Sequence, residues 1–272
     1  MGQDELLLDR LRDALAQLGS VAVAYSGGVD STLLLRVASD VLGERAVGLM
    51  SVSASTPPGE AVAAQALAAQ MGARCLVLEG HELESERYLA NPPERCYHCK
   101  LSIFRQLQDW AVEHGYRWLV DGSNADDLAD FRPGRQAVLE LNVRSPLAEL
   151  GIAKAQVRQL ARGLGLPNWD LPSSPCLSSR VPYGTPITPG LLQRIGRAEE
   201  FLRGLGLRQV RVRHHGAVAR IEVLPEDFQM VLEHRPEILA ALNGLDYKYT
   251  TLDLAGFRSG SLNEVLTNNG RD

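Results

Sequence analysis

The chain has 272 residues, 45% of them hydrophobic and 22% charged, with a formal net charge of −5. That is the balance of a globular enzyme-sized protein with room for two domains or one large one. No apolar run reaches the ~18 residues a membrane span needs, and no cluster of Lys and Arg offers a nucleic-acid footprint.

Residues 1–15 read as an amphipathic helix with acids in its first turn, not as a basic-then-apolar leader. A buried strand follows (Val21, Val23, Tyr25), then the turn SGGVDS over 26–31, then a helix starting near Asp30 and running through TLLLRVASDVL. AVGLMSVSA (46–54) predicts a second strand, EAVAAQALAAQMG a helix, and ARCLVLEG (73–80) a third strand. Residues 98–115 have helical periodicity, YRWLVDGSNADD is a strand ending in an acidic loop, and AVLELNVRSPL (137–147) reads as a further strand. IAKAQVRQLARGLG is a helix stopping at Gly165. Strands alternating with helices predict an α/β fold, a parallel sheet with helices on both faces. Residues 166–190, rich in Pro, Ser and Gly and without a period, read as an ordered active-site loop. Beyond it come a helix (191–206), the paired strands RQVRVRHH and VARIEVL, a helix ending at Gly244 and the strand DYKYTTLDL, a small α+β domain. The expected domains are 1–168, a linker loop 169–190, and 191–272, with a polar, loose tail from Asn263.

The junction at 26–31 carries the most chemistry. Gly27 and Gly28 let the backbone turn tightly and bring N–H groups toward an anion. The following helix adds its N-terminal N–H groups, so phosphate is the natural guest. Ser26 and Ser31 supply hydroxyls, and Asp30 could hold Mg²⁺. Asp121, Asn124, Asp126 and Asp127 form a second loop at the C-terminal end of a strand, where open α/β sheets place ligands. Cys75 reads as a small buried hydrophobe. Cys96 and Cys99 are spaced to face one ion, and Cys176 is a third thiol from another proline-flanked loop. A structural zinc site would want a fourth ligand, with only His98 to offer, and a redox disulfide would leave Cys176 without a role. A three-cysteine iron–sulfur cluster with one open iron uses the count as it stands, and it ranks first. Lys100, beside the cysteine pair, could neutralise charge developing on phosphate.

SGGVDS resembles the SGGxDS signature of the PP-loop ATP pyrophosphatases, whose fold is adenine nucleotide α hydrolase-like and whose members adenylate a substrate and release pyrophosphate. No GxxxxGK[ST] motif is present, so γ-phosphate transfer is not implied. NPPERCYHCK, DGSNADD, SPCLSSRVPYGTPIT, RVRHHGAVARIEV and YTTLDLAGFRSGSLNE, in that order, further resemble the LarE family of ATP-dependent sulfur transferases. The resemblance implies that ATP and Mg²⁺ adenylate a carboxylate of pyridinium-3,5-biscarboxylic acid mononucleotide. Sulfur then displaces AMP to give a thiocarboxylate for the nickel-pincer nucleotide cofactor of lactate racemase. Some members sacrifice the sulfur of one cysteine, matching Cys176; others hold a [4Fe-4S] cluster on three, matching Cys96, Cys99 and Cys176. This chain has all three. The resemblance also implies ATP contacts at Ser26, Gly27, Gly28, Asp30, Ser31, Asp121, Asn124 and Asp127, catalytic roles for Cys176, Asp30 and Lys100, and a homo-oligomer such as a hexamer; a cytoplasmic home is expected by elimination, from the lack of a span or leader pattern. The phosphate of the mononucleotide would meet Ser179, Arg180, Arg211 and Arg213, with Glu200 and Glu222 weaker candidates. The rivals are a tRNA thiolase, which the acidic charge disfavours, an amidating synthetase, which needs no cysteines, and a non-catalytic zinc module.

Overall fold

Strand β1 (Val21–Ala24) alternates its side chains between two cores. Val21 and Val23 join one apolar cluster and Ala22 joins the other, as the period of two in a doubly covered strand requires. It pairs in parallel with β2 (Ala46–Val52) on one side and with β4 (Trp118–Val120) on the other. β3 (Cys75–Glu79) extends the sheet beyond β2, for the order β3-β2-β1-β4. The computed structural model describes residues 3–128, 133–172, 174–258 and 262; the polar tail expected from Asn263 lies outside them.

One face of the sheet is covered by α1 (Gln3–Leu18), α2 (Val29–Leu42), α3 (Glu60–Gln70) and α8 (Lys154–Gly163), whose Leu11, Leu34, Ala68 and Leu160 pack with Val23. On the other face, α5 (Arg95–Glu113) and α6 (Pro133–Glu140) bring Phe104, Leu107 and Val138 against Ala22, Val47 and Leu49. The short helices α4 (Glu86–Leu89) and α7 (Pro146–Glu149) complete the N-terminal half. The chain divides into two compact units, the first made of residues up to Ser53, Gly59–Tyr88 and Pro93–Ser174. The second takes Ala54–Pro58, Leu89–Pro92 and everything from Pro175 on.

In the second unit, Pro189 and the Thr188 hydroxyl, which accepts from the Leu191 N–H at 3.2 Å, start α9 (Pro189–Gly204), a proline at the first turn and a threonine cap. β5 (Val210–His215) and β6 (Val218–Val223) form a hairpin whose tight turn places Gly216 at φ 62°. α10 (Phe228–Glu233) and α11 (Arg235–Asn243) lead to β7 (Tyr249–Leu252), which pairs in parallel with β6. Val210, Val212, Ile221 and Val223 point from this sheet into a core with Leu202, Ile238 and Leu242. No helix among the described residues is long and apolar enough to cross a membrane.

Two expectations are corrected. Residues 137–147 are not a strand. Ala137 and Val138 belong to α6, Val138 packs with α5's Phe104 and Leu107, and all that remains of sheet pairing is a single bridge from Val120 to Arg144. A short apolar run carries no period long enough to tell helix from strand. The helix expected up to Gly244 is two, broken at His234 because Pro236 can sit only in the first turn of a new one.

Candidate active site

The sheet order reverses between β1 and β4, the topological switch point where doubly wound folds bind ligands. The 26–31 loop leaves β1 and the 121–127 loop leaves β4 at that point. The first loop is held by its own polar groups. The Ser31 hydroxyl donates to the Gly28 carbonyl at 3.1 Å, accepts from the Ser26 N–H at 3.2 Å and lies 3.2 Å from the Ser26 hydroxyl. Gly27 has φ 75°, and a Cβ there would come within 2.8 Å of the Ala64 Cβ. Only glycine fits. Tyr25 donates its hydroxyl to the Ala64 carbonyl at 3.0 Å, and burial raises its pKa. Gly122 meets α2 as closely: a Cβ there would sit 2.8 Å from the Ser31 nitrogen.

Asp30 and Asn124, 94 residues apart, meet here. The Asn124 amide donates to Asp30 Oδ1 at 3.1 Å, and Lys154 Nζ pairs with Oδ2. Lys154 also donates its backbone N–H to Asp126 at 2.9 Å. Asp127 accepts the Asn124 N–H at 2.9 Å, and buried Asp121 accepts the hydroxyls of Ser123 and Ser145, both at 2.6 Å. These two acids shape the loop. Asp30 is the carboxylate of the set held by side chains from two other elements, Asn124 and Lys154. Asn168, whose amide donates to the Gly27 carbonyl at 2.9 Å, and Lys154 escaped the sequence reading; a Lys at the first position of a helix reads as an ordinary solvated residue.

Cys96 and Cys99 lie one turn apart on α5, followed by Lys100, whose ammonium sits 5.3 Å from the centre of the Phe104 ring. All four cysteines are thiols, and burial raises Cys75. Among the described residues no group of three or more His, Cys, Asp or Glu forms a metal-holding set. Cys96 is exposed, and Cys99 and Cys176 are half-buried.

In the second unit, Cys176 precedes a tight 3₁₀ turn, Leu177–Arg180. Arg180 is fully buried, and its Nη1 donates to the carbonyls of Pro175 (2.6 Å) and Cys176 (3.0 Å) and to Ser179 Oγ (2.8 Å). Ser179 Oγ in turn donates to the Cys176 carbonyl at 2.8 Å. The remaining edge of the Arg180 guanidinium forks onto Glu199 at 2.8 and 3.0 Å. Glu199 also accepts from Arg203 and from the N–H of Val212 on the edge strand β5. Burial alone would raise the Glu199 carboxyl, but Arg180, the Val212 N–H and Arg203 hold it below its ordinary range.

Arg211 and Arg213 share the face of the sheet opposite the apolar core, and both are buried. Arg213 forks onto Glu222 at 3.0 and 2.9 Å and donates to the Ser179 carbonyl at 2.6 Å. Arg211 lies over the Phe257 ring, and its pKa is pushed down to about 10 by burial and then by the charge of Arg180. Among the described residues Arg180 and Arg203 pair with Glu199, Arg213 and Arg220 with Glu222, and Arg220 also with Asp253. Glu200 is exposed; its neighbour Glu199 is the buried acid.

No family model matches the chain. It is 48% identical over 97% of its length to an uncharacterized protein of Synechocystis, covering 99% of that protein. It is 38% identical over 93% of its length to the pyridinium-3,5-bisthiocarboxylic acid mononucleotide synthase of Lactiplantibacillus plantarum, covering 92% of it. A glutamine-hydrolyzing GMP synthase polypeptide of Archaeoglobus fulgidus matches 65% of the chain at 26% identity, over 58% of its own length.

Proposed function

This chain belongs to the LarE family, and from that premise we propose that it is an ATP-dependent, AMP- and pyrophosphate-forming sulfurtransferase. Its substrate is a carboxylate of pyridinium-3,5-biscarboxylic acid mononucleotide, and its product a thiocarboxylate for the nickel-pincer nucleotide. The observation that carries the reading is the 26–31 loop at the switch point, with Asp30 held by Asn124 and Lys154.

A carboxylate is a poor electrophile because its oxygen leaves badly; joined to AMP, that oxygen departs with phosphate. The N–H groups and hydroxyls of Ser26, Gly27, Gly28 and Ser31 hold the pyrophosphate as it forms, where charge develops. Asp30 would hold Mg²⁺, which when bound would neutralise phosphate charge, and Lys154, beside Asp30, would face phosphate oxygens; Lys100 would add a further positive charge. Asp121, Asn124 and Asp127 shape the loop that closes the nucleotide site. Ser179, Arg180, Arg211 and Arg213 set the positive field that receives the phosphate of the mononucleotide, with Arg211 making the contact and Arg213, Glu222 and Arg180 fixing the turn behind Cys176. Cys96, Cys99 and Cys176 would hold a [4Fe-4S] cluster, which when bound supplies an open iron able to carry sulfide. The protein acts in the cytoplasm as a homo-oligomer.

Labelled ATP and substrate should yield pyrophosphate and AMP, and Asp30→Ala should lower adenylation at least ~100-fold by removing both the metal's carboxylate and Lys154's partner. Release of ADP would sink the assignment. Arg211→Ala should raise KM for the mononucleotide about tenfold or more while leaving KM for ATP unchanged, as expected when one charge-assisted phosphate contact is lost; equal effects on both would return Arg211 to a structural role.

A further inference from the structure

The peptide between Gly27 and Gly28 is the weak point of the phosphate loop. Both flanking residues are glycines, so nothing in their side chains opposes rotation of that peptide plane. Its carbonyl and its N–H belong to one planar trans unit and point in opposite directions. Whatever fixes the Gly27 carbonyl therefore aims the Gly28 N–H.

Asn168 does this. Its Nδ2 donates to the Gly27 carbonyl at 2.9 Å and to Thr32 Oγ1 at 3.0 Å, across 141 and 136 residues of chain. A carbonyl oxygen can only accept, so the amide nitrogen must face it. Asn168 is 8% exposed, and its buried Oδ1 has no hydrogen-bond partner among the described residues. A buried amide that leaves its oxygen unmatched costs stability, so its retention rests on what the nitrogen does. The side chain is kept in place by its own turn: Trp169 packs into the core and lies 5.0 Å from the Arg162 guanidinium, and the Asn168 carbonyl accepts from the Leu171 N–H at 3.1 Å. On the far side of the peptide, the Gly28 N–H has only a long contact, 3.4 Å to Ser26 Oγ. It is aimed but weakly engaged.

We propose that Asn168 is a positioning residue for ATP: by pinning the Gly27 carbonyl it holds the Gly28 N–H toward the nucleotide's phosphates. This rests on the ATP-binding reading above and adds to it the residue that keeps the loop in its binding form. Asn168 touches no substrate itself.

The test compares Asn168→Ala with Thr32→Val, measuring Mg·ATP binding by calorimetry, pyrophosphate release and Tm. Both changes remove a bond to the same amide, but only the first frees the Gly27 carbonyl. Asn168→Ala should raise Kd and KM for ATP about tenfold, the worth of roughly one hydrogen bond, with KM for the mononucleotide unchanged. Thr32→Val should lower Tm and leave ATP affinity within about twofold. If Asn168→Ala does not fold, Asn168→Ser provides the same comparison. Equal ATP effects in the Asn168 and Thr32 variants, or none in the Asn168 variant, would overturn the positioning role while leaving the ATP reading intact. A wild-type chain that binds no ATP overturns both.

Discussion

Replacing Glu199 by alanine is expected to destabilise the second unit by ~3–5 kcal/mol, the usual cost of stranding a buried charge by removing its partner. Arg180 and Glu199 are both completely buried, and Arg180 has no water to turn to. The same change strips the edge strand of an acceptor for the Val212 N–H and releases Arg203. A drop of many degrees in Tm should follow, with Cys176 becoming faster to alkylate, because Arg180 also ties down the Pro175 and Cys176 carbonyls. The pair also sets a pH dependence. The folded-state pKa of Glu199 lies below its ordinary value of 4.5, so its stabilisation is complete above that value and is lost as pH falls through the folded pKa. Glu199→Gln should remove that part of the acid limb in a Tm-against-pH series. An unchanged limb, or a loss below ~1 kcal/mol in Glu199→Ala, a size typical of exposed pairs, would show that the pair is not buried in solution.

The second large effect concerns sulfur. Protein purified without oxygen should be brown and carry about four irons per chain, the stoichiometry of a [4Fe-4S] centre. Cys96→Ala, Cys99→Ala and Cys176→Ala should each remove the colour and abolish multiple turnover; Cys75→Ala, altering a half-buried strand residue packed against the core, should not. A sacrificial Cys176 makes a different claim: colourless protein, a single turnover, and the mass loss of one sulfur and two hydrogens at that residue. Dehydroalanine at Cys176 in intact-mass spectra would refute the cluster.

The parts of the fold that could be read from the chain are those with a long period or a glycine under constraint. The strands around Val23, Leu49 and Leu119 and the helices α1, α5 and α9 carry such patterns, and SGGVDS marks the loop because Gly27 cannot bear a side chain against Ala64. α6 could not be read, because AVLEL fits a strand until Phe104 and Leu107 are there to pack on it. Partnerships were the hardest. Nothing local in AKAQ says that Lys154 pairs with Asp30, 124 residues away, and Asn168 sits in a stretch whose composition says only loop. Glu200 and Glu199 are adjacent in sequence but about 100° apart around a helix, and α9 turns the second inward; a one-residue error in phase selects the exposed acid. Arg211 and Arg213 read equally well as a solvated face, until Glu222, opposite Arg211 in the hairpin register, shows that side of the sheet to be buried.

Ser55 and Asn91 belong to the second unit although ribosomes make them long before it. The Ser55 carbonyl accepts the Leu177 N–H at 2.8 Å, just past Cys176, and the Asn91 amide donates to the carbonyls of Pro182 and Thr185 at 2.7 and 2.9 Å. During synthesis these residues emerge with their partners still untranslated, so the thiol-bearing turn can be completed only after some ninety to one hundred and twenty further residues have been added. A gene fragment beginning at Pro175 would encode the hairpin and its helices but lack the strands of backbone that tie down Leu177 and Ile187. The thiol-bearing end of that unit is thus encoded in three separate stretches of the chain, and a domain swap cut at one boundary would leave part of it behind.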